Sequence, residues 1–416
     1  MSDTRCQTRG VTTAPPLVGL DDVRAARELL LGVARETPVQ NLRSLSERVG
    51  GPVVVKCENL QRTGSFKIRG AYTRISRLSD DERSRGVVAA SAGNHAQGVA
   101  LAASLLGARA TVFMPVGAPI PKVAATRAYG AHVEHVGATV DEALQAALAH
   151  AERTGAAFIH PFDHPDVIAG QGTVGLELLE QVPDVRTVVV CTGGGGLVAG
   201  IGVVVKALRP DVRVVAAQAA GAAAWPASLE QGRPVALEKM TTVADGIAIG
   251  CPGDVTFAHV REVVDDVVTV DDDALSRAIV HLLERAKLVV EPAGAAAVAA
   301  VREAPQSFEP PVVAVVSGGN IDPLLLAKVV RHGLISAGRF LSLRVRIPDR
   351  PGELARLLAV LGESGANVID VEHSRTGRGL HLDEVQVELQ LETRSRDHGR
   401  SVLAALDGAG YAVRPG

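Results

Sequence analysis

The sequence predicts an α/β fold with two open sheets, mainly parallel, followed by a smaller α+β domain. Between residues 53 and 317, short β-branched runs that are apolar throughout alternate with Ala/Leu-rich helical stretches. Strands of that kind are buried on both faces, which is typical of parallel sheets flanked by helices. After Gly338 the strands alternate apolar and polar residues instead, as at 341–347 and 384–391. That pattern indicates half-exposed antiparallel strands.

Each predicted element follows from these patterns. The strands of the first part are predicted at 53–56, 87–91, 110–114, 133–136, 187–191, 212–216 and 312–317. Helical patterns lie between most of them, for example at 94–106, 140–153 and 167–180. In the second part, helices at 351–364 and 396–409, a strand at 366–374 and a turn at 376–379 complete a β-α-β-β-α-β order, which is ferredoxin-like.

Composition excludes several classes of protein. Hydrophobic residues make up 47% and charged residues 21%, and the net charge is −3, so neither a nucleic-acid partner nor a membrane-surface partner is expected. The first residues lack an apolar segment, and runs such as 312–316 are too short to span a bilayer. Four distant cysteines without a C-x-x-C pair predict reduced thiols and no metal site. We expect a soluble, cytoplasmic protein.

Lys67 is the main candidate for a reactive amine. It follows the small loop residues Thr63, Gly64 and Ser65 at the start of a helical pattern. A lysine directed inwards from such a position has its pKa lowered by desolvation and by the helix dipole, which favours a covalent bond to a carbonyl group. The alternative is a surface lysine whose stem covers apolar surface.

Four consecutive glycines form a candidate phosphate site between an apolar strand and a helical pattern. Without Cβ atoms the backbone can approach an anion closely, and the N–H groups at a helix start bind phosphate. No lysine follows them as in a P-loop. The alternative is a flexible turn, although four glycines there are costly in entropy. The residues are Gly193, Gly194, Gly195 and Gly196, followed by Leu197.

Two other turns follow predicted strands and carry polar side chains. The turn from Ser91 to His95 opens a helix, so its N–H groups and the Asn94 amide could bind a carboxylate or a ring hydroxyl. Alternatively, Ser91 and Asn94 only cap that helix. Ser317 lies in a second turn of this kind, and the carboxyl ends of parallel strands are where α/β proteins bind ligands.

The segment GQGTVG at 170–175 matches the dinucleotide-binding pattern G-x-G-x-x-G. It lies inside a helical pattern instead of directly after a strand, so the setting that gives the pattern its function is missing. We expect close helix packing there and consider a nicotinamide-dependent dehydrogenase a remote alternative.

Together these motifs resemble the fold-type II pyridoxal-phosphate enzymes, most closely the threonine ammonia-lyase (threonine dehydratase) group. The matching stretches are ENLQRTGSFKIRGA at 58–71, ASAGNHAQGVA at 90–100, HPFDHPDVIAGQGTVGLE at 160–177, TGGGGLVAGI at 192–201, VADGIA at 243–248, RAKLVVEPAGA at 285–295 and VSGGNID at 316–322. Residues 347–375 resemble an ACT domain, an amino-acid-sensing module.

The resemblance implies a two-lobed catalytic domain of the tryptophan synthase β type. We expect a flexible lead-in at 1–20, the catalytic domain at 21–332 with a small lobe at about 55–160 inserted in a large one, a linker at 333–340 and the ACT domain at 341–416.

The resemblance also implies roles for individual residues. Lys67 holds pyridoxal 5'-phosphate covalently and takes the proton from the substrate Cα. Phe66 packs on the cofactor ring, Asn94 contacts its hydroxyl and Ser317 its nitrogen, while the amides of residues 193–197 hold the phosphate. The residues implied to receive the substrate are Ser65, Ser91, Ala92, Gly93, Asn94 and His95.

The expected reaction is the deamination of L-threonine to 2-oxobutanoate and ammonia, with L-serine converted to pyruvate more slowly. Serine racemases of this group carry Ser at the position of Ala92 and bind a cation through acids that the segment 218–224 lacks, so racemisation and a metal are not expected. Ile68 replaces the Asp typical of cysteine and threonine synthases. An L-serine or 3-hydroxyaspartate dehydratase, and a non-catalytic amino-acid sensor, remain alternatives.

The ACT resemblance implies a regulatory ligand. Asp349, Arg350, Pro351, Gly352 and Asn367 are the residues implied to lie near a small amino acid, for which isoleucine or valine is the candidate. Edge strands of such modules pair between subunits, so a homodimer or homotetramer is expected. An ACT pair that serves only assembly remains the alternative, and the sequence does not distinguish a biosynthetic from a catabolic role.

Overall fold

The computed structural model describes residues 17–375 and 380–415. Most of the expected lead-in and the turn predicted at 376–379 lie outside these ranges. The chain divides into two compact units, with the division between Leu326 and Ala327.

The first unit alternates strands and helices as the sequence predicts. Its elements are α1 (Leu20–Leu29), β1 (Val39–Asn41), α2 (Arg43–Val49), β2 (Val53–Cys57), α3 (Lys67–Ser76), α4 (Asp80–Arg85), β3 (Val87–Ala90), α5 (Asn94–Leu105), β4 (Ala110–Met114), α6 (Ile120–Ala128), β5 (His132–His135), α7 (Val140–Thr154), β6 (Ala157–Phe158), α8 (Pro165–Gln181), β7 (Thr187–Cys191), α9 (Gly196–Leu208), β8 (Arg213–Ala219), α10 (Ala224–Gln231), α11 (Asp254–Val263), β9 (Asp266–Val270), α12 (Asp272–His281), α13 (Pro292–Glu303) and β10 (Val312–Val316). The next helix, α14 (Pro323–Ser336), contains the division between the two units.

Two open sheets organise this unit, as predicted. The larger has the order β1-β2-β10-β7-β8-β9 and is parallel apart from β1, and the smaller has the order β5-β4-β3-β6 and is parallel throughout. In the larger sheet β10 lies between β2 and β7, so these three strands end at one edge. Their next segments carry Lys67, Ser317 and the four glycines. Strand order therefore brings together residues that are far apart in the sequence.

The helix α8 packs closely on two other helices through glycines. A methyl group built on Gly170 would lie 2.6 Å from the Arg69 carbonyl oxygen in α3, and one on Gly172 would lie 2.9 Å from the Gly200 carbonyl oxygen in α9. Side chains at these positions would force the helices apart. The prediction of close helix packing at 170–175 is confirmed.

The second unit has the predicted β-α-β-β-α-β order. Its elements after α14 are β11 (Phe340–Pro348), α15 (Glu353–Glu363), β12 (Asn367–Ser374), β13 (Glu384–Glu392), α16 (Arg396–Gly408) and β14 (Val413–Pro415). The antiparallel sheet has the order β12-β13-β11-β14. Val345, Val387 and Leu389 alternate inwards and pack with Leu357 and Val402 of the two helices.

Three features differ from the prediction or were missing from it. The strands β1, β6 and β9 have no continuous buried apolar run, since two are very short and β9 is a half-exposed edge strand. The helix α14 continues to Ser336, so the first residues of the expected linker at 333–340 are helical. Cys57 and Cys191 are free, but Cys251 is disulfide-bonded, so the expectation of reduced thiols is wrong for Cys251.

Among the described residues, none of the helices combines the length and the apolar character needed to cross a bilayer.

Candidate active site

Lys67 is fixed at the start of α3 by contacts on both sides. The preceding Ser65 forms a β-bridge with Gly318, and the N–H of Phe66 donates to the Ser317 carbonyl oxygen at 3.3 Å. The Lys67 Nζ donates to the Pro161 carbonyl oxygen at 2.8 Å. The backbone is therefore tied to the end of β10, while the amine points to the segment between β6 and α8.

The Lys67 side chain is half-buried, and its amine lies in a desolvated environment. Burial lowers the pKa of Lys67 to about 8, against the opposing effect of the Glu291 carboxylate. A carbonyl partner satisfies one donor but supplies no full negative charge, so burial shifts the equilibrium of Lys67 towards the neutral amine. The alternative of a solvated surface lysine does not fit this environment.

The four glycines form a crowded turn and not a flexible one. A methyl group on Gly194 would lie 2.4 Å from the Phe162 ring, and one on Gly195 would lie 2.4 Å from the Trp225 ring. Gly195 also has a φ of +93°, which favours glycine. The Trp225 Nε1 donates to the Gly193 carbonyl oxygen at 2.7 Å. With its carbonyl held and α9 beginning at Gly196, the turn presents backbone N–H groups as an anion site requires.

Asn94 is held at both ends of its amide. Its Nδ2 donates to Glu291 Oε1 at 2.5 Å, and its Oδ1 accepts from Asn320 Nδ2 at 2.8 Å. The helix α5 has Gly93 at its N-terminal cap, with no side-chain capping bond. The alternative that Asn94 only caps this helix is therefore wrong, because its side chain bonds across to α13 and to the turn after β10. Ser91 stays local, with its Oγ accepting the Gly93 N–H at 3.1 Å.

His95 lies beneath the turn that begins at Ser91. It is buried, and its Nε2 contacts the Ile159 carbonyl oxygen at 2.7 Å. Burial lowers the pKa of His95 to about 3, and the charge of Lys67 adds to the effect. The imidazole is therefore neutral near pH 7. Ala92, the position at which racemases carry a hydroxyl, is half-buried in the same turn.

Ser317 lies at the end of β10, between the ends of β2 and β7. It is buried, and its carbonyl oxygen accepts the Phe66 N–H described above. A backbone hydrogen bond thus joins Ser317 to Phe66, the residue directly before Lys67 in the chain.

Glu291 is a site residue that the sequence analysis missed. It caps the N-terminal end of α13, and its carboxyl group is buried against Asn94. Burial raises the pKa of Glu291 to about 7, and the charge of Asp245 adds to this against Lys122, Asn94 and Lys67. The available signal was Glu-Pro ahead of an Ala-rich run, inside one of the recognised stretches.

The segment His160–Asp163 was recognised as part of a motif but not as a contact of the amine. The His160 Nδ1 accepts the N–H groups of Phe162, at 3.3 Å, and Asp163, at 2.7 Å. This tight turn directs the Pro161 carbonyl to Lys67 and sets the Phe162 ring against the glycines. No local pattern distinguishes it from an ordinary loop.

The predicted regulatory residues lie in the second unit. Asp349, Arg350, Pro351 and Gly352 line a cavity of about 230 Å³, together with His373 and Arg375. Asn367 is not among the lining residues, and its Nδ2 donates to Glu392 Oε2 at 3.2 Å.

Comparisons with known proteins agree with this geometry. The sequence model of the family described as "Pyridoxal-phosphate dependent enzyme" matches residues 30–318, and that of the ACT domain matches residues 341–407. An L-threonine ammonia-lyase of Thermotoga maritima is 46% identical over 398 residues, which are 96% of this chain and 99% of that protein.

Two solved structures resemble the larger part of the chain. A maize serine racemase has a TM-score of 0.72 at 38% identity, over 75% of this chain and 97% of that one. The processed form of threonine deaminase isoform 2 from Solanum lycopersicum has a TM-score of 0.72 at 38% identity, over 78% of this chain and 92% of that one.

The residues present fit pyridoxal phosphate. The crowded glycine turn has the room for a phosphate that side chains would fill, and the amine of low pKa donates to Pro161, next to the Phe162 ring that packs on those glycines. The hydroxyls of Ser65 and Thr63 are buried without a hydrogen-bond partner in the described part of the chain, and such groups are normally satisfied. The chain belongs to the fold-type II pyridoxal-phosphate-dependent enzymes, in the threonine ammonia-lyase group, and carries a C-terminal ACT domain.

Proposed function

We propose that this enzyme converts L-threonine to 2-oxobutanoate and ammonia by eliminating water, after which hydrolysis releases the ammonia. The observation that carries the proposal is the Lys67 amine, with its pKa lowered to about 8, at the sheet edge where the glycine turn also lies. The relative from Thermotoga maritima named L-threonine ammonia-lyase, which matches nearly the whole chain, supports this substrate.

In this proposal the chain holds the cofactor at four places. Lys67 binds it covalently, and the N–H groups of residues 193–197 bind its phosphate, since four glycines bring the backbone close to it. Asn94, with its amide fixed by Glu291 and Asn320, contacts the ring hydroxyl. The Ser317 hydroxyl faces the ring nitrogen, and Phe66 packs on the ring.

Bound pyridoxal phosphate supplies an electron sink that stabilises negative charge at the substrate Cα. The remaining chemistry belongs to side chains of this protein. An amine with a pKa near the working pH both accepts and returns a proton efficiently, so Lys67 takes the Cα proton. Ser317 is a neutral hydroxyl that donates no charge to the ring nitrogen, which favours prompt loss of the β-hydroxyl over transamination.

The turn from Ser91 to His95, with Ser65 opposite, receives the substrate. Its N–H groups and the Asn94 amide are donors for the carboxylate, and neutral His95 supports the turn from below. Ala92 offers no proton donor on the second face of the substrate, so elimination is favoured over racemisation. L-serine, which lacks one methyl group, is a slower substrate, because one methyl group changes the transition-state energy by only about 1–3 kcal/mol.

The direct test is the Lys67→Ala variant. We expect loss of the visible absorbance of the covalently bound cofactor and loss of 2-oxobutanoate formation. Lys206→Ala is the matched control, because Lys206 is bound to Asp265 at the far end of α9. Full turnover by Lys67→Ala would refute the mechanism. Absence of threonine turnover in the unmodified protein would refute the substrate.

The cavity at Asp349–Gly352 is the proposed regulatory site, with isoleucine or valine as the ligand. Asp349 and Arg375 are paired at 2.9 Å beside Arg350, so groups of both charges are available to the ammonium and carboxylate groups of an amino acid. Threonine titrations with and without each amino acid, on the unmodified protein and on Asp349→Ala, test this. Identical curves for the unmodified protein would exclude such regulation.

We also propose that the second unit, the ACT domain, joins subunits into a homodimer or homotetramer. The strand β12 lies at an edge of its sheet and exposes about half of Ile369, and unpaired edges of this kind join subunits. Sedimentation equilibrium would measure the mass of the assembly, and a monomer at micromolar concentration would contradict the proposal.

A further inference from the structure

Lys122 lies beside the turn assigned above to the substrate, although no motif singled it out. It is in the first turn of α6, and a methyl group built on Gly93 would lie 3.8 Å from its Nζ. The same Nζ donates to Asp245 Oδ2 at 3.0 Å, and the Lys122 side chain is only 12% exposed. The ammonium group thus lies between an exposed carboxylate and the Ser91–His95 turn.

The residues around the Ser91–His95 turn are neutral or acidic, so the positive charge of Lys122 matters there. Ser91 and Asn94 are neutral, His95 is a neutral imidazole, and Glu291 and Asp245 are acids. A carboxylate entering such surroundings is repelled unless a cation compensates for the acids. The charge of Lys122 already acts on Glu291 by lowering its pKa.

Lys67 is the other lysine whose charge reaches this region. Its amine is committed to the cofactor in the proposed function. Lys122 is therefore the cation that the described residues offer, at this turn, to an incoming carboxylate.

We propose that Lys122 is a substrate-binding residue whose ammonium group exchanges Asp245 for the α-carboxylate of the amino acid. This inference rests on the proposed function, since it assumes that an amino acid binds at the Ser91–His95 turn. Asp245 is 61% exposed, so water readily solvates it when the pair opens. The exchange makes the site select ligands with a free α-carboxylate over the corresponding amides.

The test compares L-alanine with L-alaninamide as ligands of the holoenzyme. Neither has a β-leaving group, so binding is measured at equilibrium from the change in cofactor absorbance, without turnover. We expect the unmodified enzyme to bind L-alanine more tightly than L-alaninamide. In Lys122→Met the ratio of the two dissociation constants should fall about tenfold, whereas Lys122→Arg should retain most of it. In L-threonine kinetics, we expect Lys122→Met to raise KM by a larger factor than it lowers kcat.

Two controls separate this role from others. If Lys122 only tied α6 to Asp245, then Asp245→Asn would weaken L-alanine binding as much as Lys122→Met does, and that result would overturn the proposal. We expect instead that Asp245→Asn binds L-alanine as well as the unmodified enzyme or better, because the competing carboxylate is gone. Lys206→Met removes a paired lysine at the far end of α9 and should leave the preference unchanged.

The failure of this inference is distinguishable from failure of the proposed function. An alanine-to-alaninamide preference that is equal in unmodified, Lys122→Met and Lys122→Gln enzymes would overturn the role of Lys122 while threonine turnover persisted. Lys122→Met and Lys122→Gln, the two neutral variants, should show the same alanine-to-alaninamide preference. The cofactor absorbance of each variant confirms that its active site is folded and contains the cofactor.

Discussion

Lys67 and Arg69 are two cations in the first turn of the same helix, yet their surroundings are opposite. The Arg69 guanidinium is fully buried and donates to Glu58 Oε1 at 2.8 Å, to Glu58 Oε2 at 2.9 Å and to Glu177 Oε1 at 2.6 Å. Lys56 is buried in the same cluster, with its Nζ 2.5 Å from Glu177 Oε2. Lys67 has a backbone carbonyl as its hydrogen-bond partner.

The difference shows in the pKa values. Burial by itself lowers the pKa of Arg69, but Glu58 and Glu177 outweigh it and raise the net value. Burial alone raises the pKa of Glu58, but Arg69, with Thr37 and Lys56, outweighs burial and lowers the net pKa. At Lys67 the charge of Glu291 does not offset burial, and the pKa falls to about 8. One helix turn therefore carries a cation that stays charged and an amine that can release its proton.

The largest expected effect comes from removing the Lys67 amine. In Lys67→Met, we expect turnover of L-threonine to fall by at least about a thousandfold, because the proposed nucleophile and base are lost together. The free energy of unfolding of the cofactor-free protein does not fall, since no ion pair is broken. Initial rates and urea unfolding measure the two quantities. A large loss of stability would show that Lys67 belongs with the paired cations.

Removing the paired cation should have the reverse effect. Arg69→Met leaves Glu58 and Glu177 buried with an incomplete set of partners, so the free energy of unfolding falls by about 3–5 kcal/mol. Arg77→Met is the matched control at the end of α3, where a partly exposed pair with Asp166 contributes at most about 1 kcal/mol. Equal losses in the two variants, measured by urea unfolding, would contradict the distinction.

Glu58 and Glu291 are buried carboxyl groups that act on Arg69 and on Lys67, respectively. Glu58→Gln weakens charge-assisted bonds to Arg69 and destabilises the protein by about 1–3 kcal/mol. Glu291→Gln keeps an acceptor for Asn94 but removes the charge that holds the Lys67 pKa up, so that pKa falls below 8. The pH dependence of cofactor capture by the cofactor-free protein reports this shift, because the neutral amine is the reacting form. An unchanged midpoint in Glu291→Gln would refute the coupling.

The smallest expected effect is a slope in the pH dependence of stability. The pKa of Lys67 is about 8 in the folded protein and 10.5 without perturbation, so the unfolded chain binds more protons between these values. Stability therefore rises with pH through this interval, and the contribution is absent in Lys67→Met. Urea unfolding of the two cofactor-free proteins from pH 7.5 to 10 measures the difference between them. Parallel curves would show that the folded amine titrates normally.

The sequence could predict those features of the fold and the site that are visible in a few adjacent residues. Lys67 and the glycine turn were found because a loop-to-helix or strand-to-helix junction is visible in a few adjacent residues. The parallel sheets were found because their strands are apolar throughout. These signals needed no knowledge of which strands are neighbours.

The missed features depend on contacts across the chain. Glu291 reaches Asn94 over a separation of 197 residues, and only the strand order β2-β10-β7 and the position of α13 bring them together. The Pro161 carbonyl acts through the backbone, so its side chain carries no signal. Lys122 looks like any surface lysine of an amphipathic helix until Gly93 is placed beside it.

Trp225, the single tryptophan of the chain, donates to the Gly193 carbonyl oxygen and packs against Gly195. No other tryptophan contributes to its indole fluorescence, which therefore originates at the glycine turn itself. Emission intensity and wavelength give a direct optical record of events at that turn, which a stopped-flow instrument can follow in real time without a label.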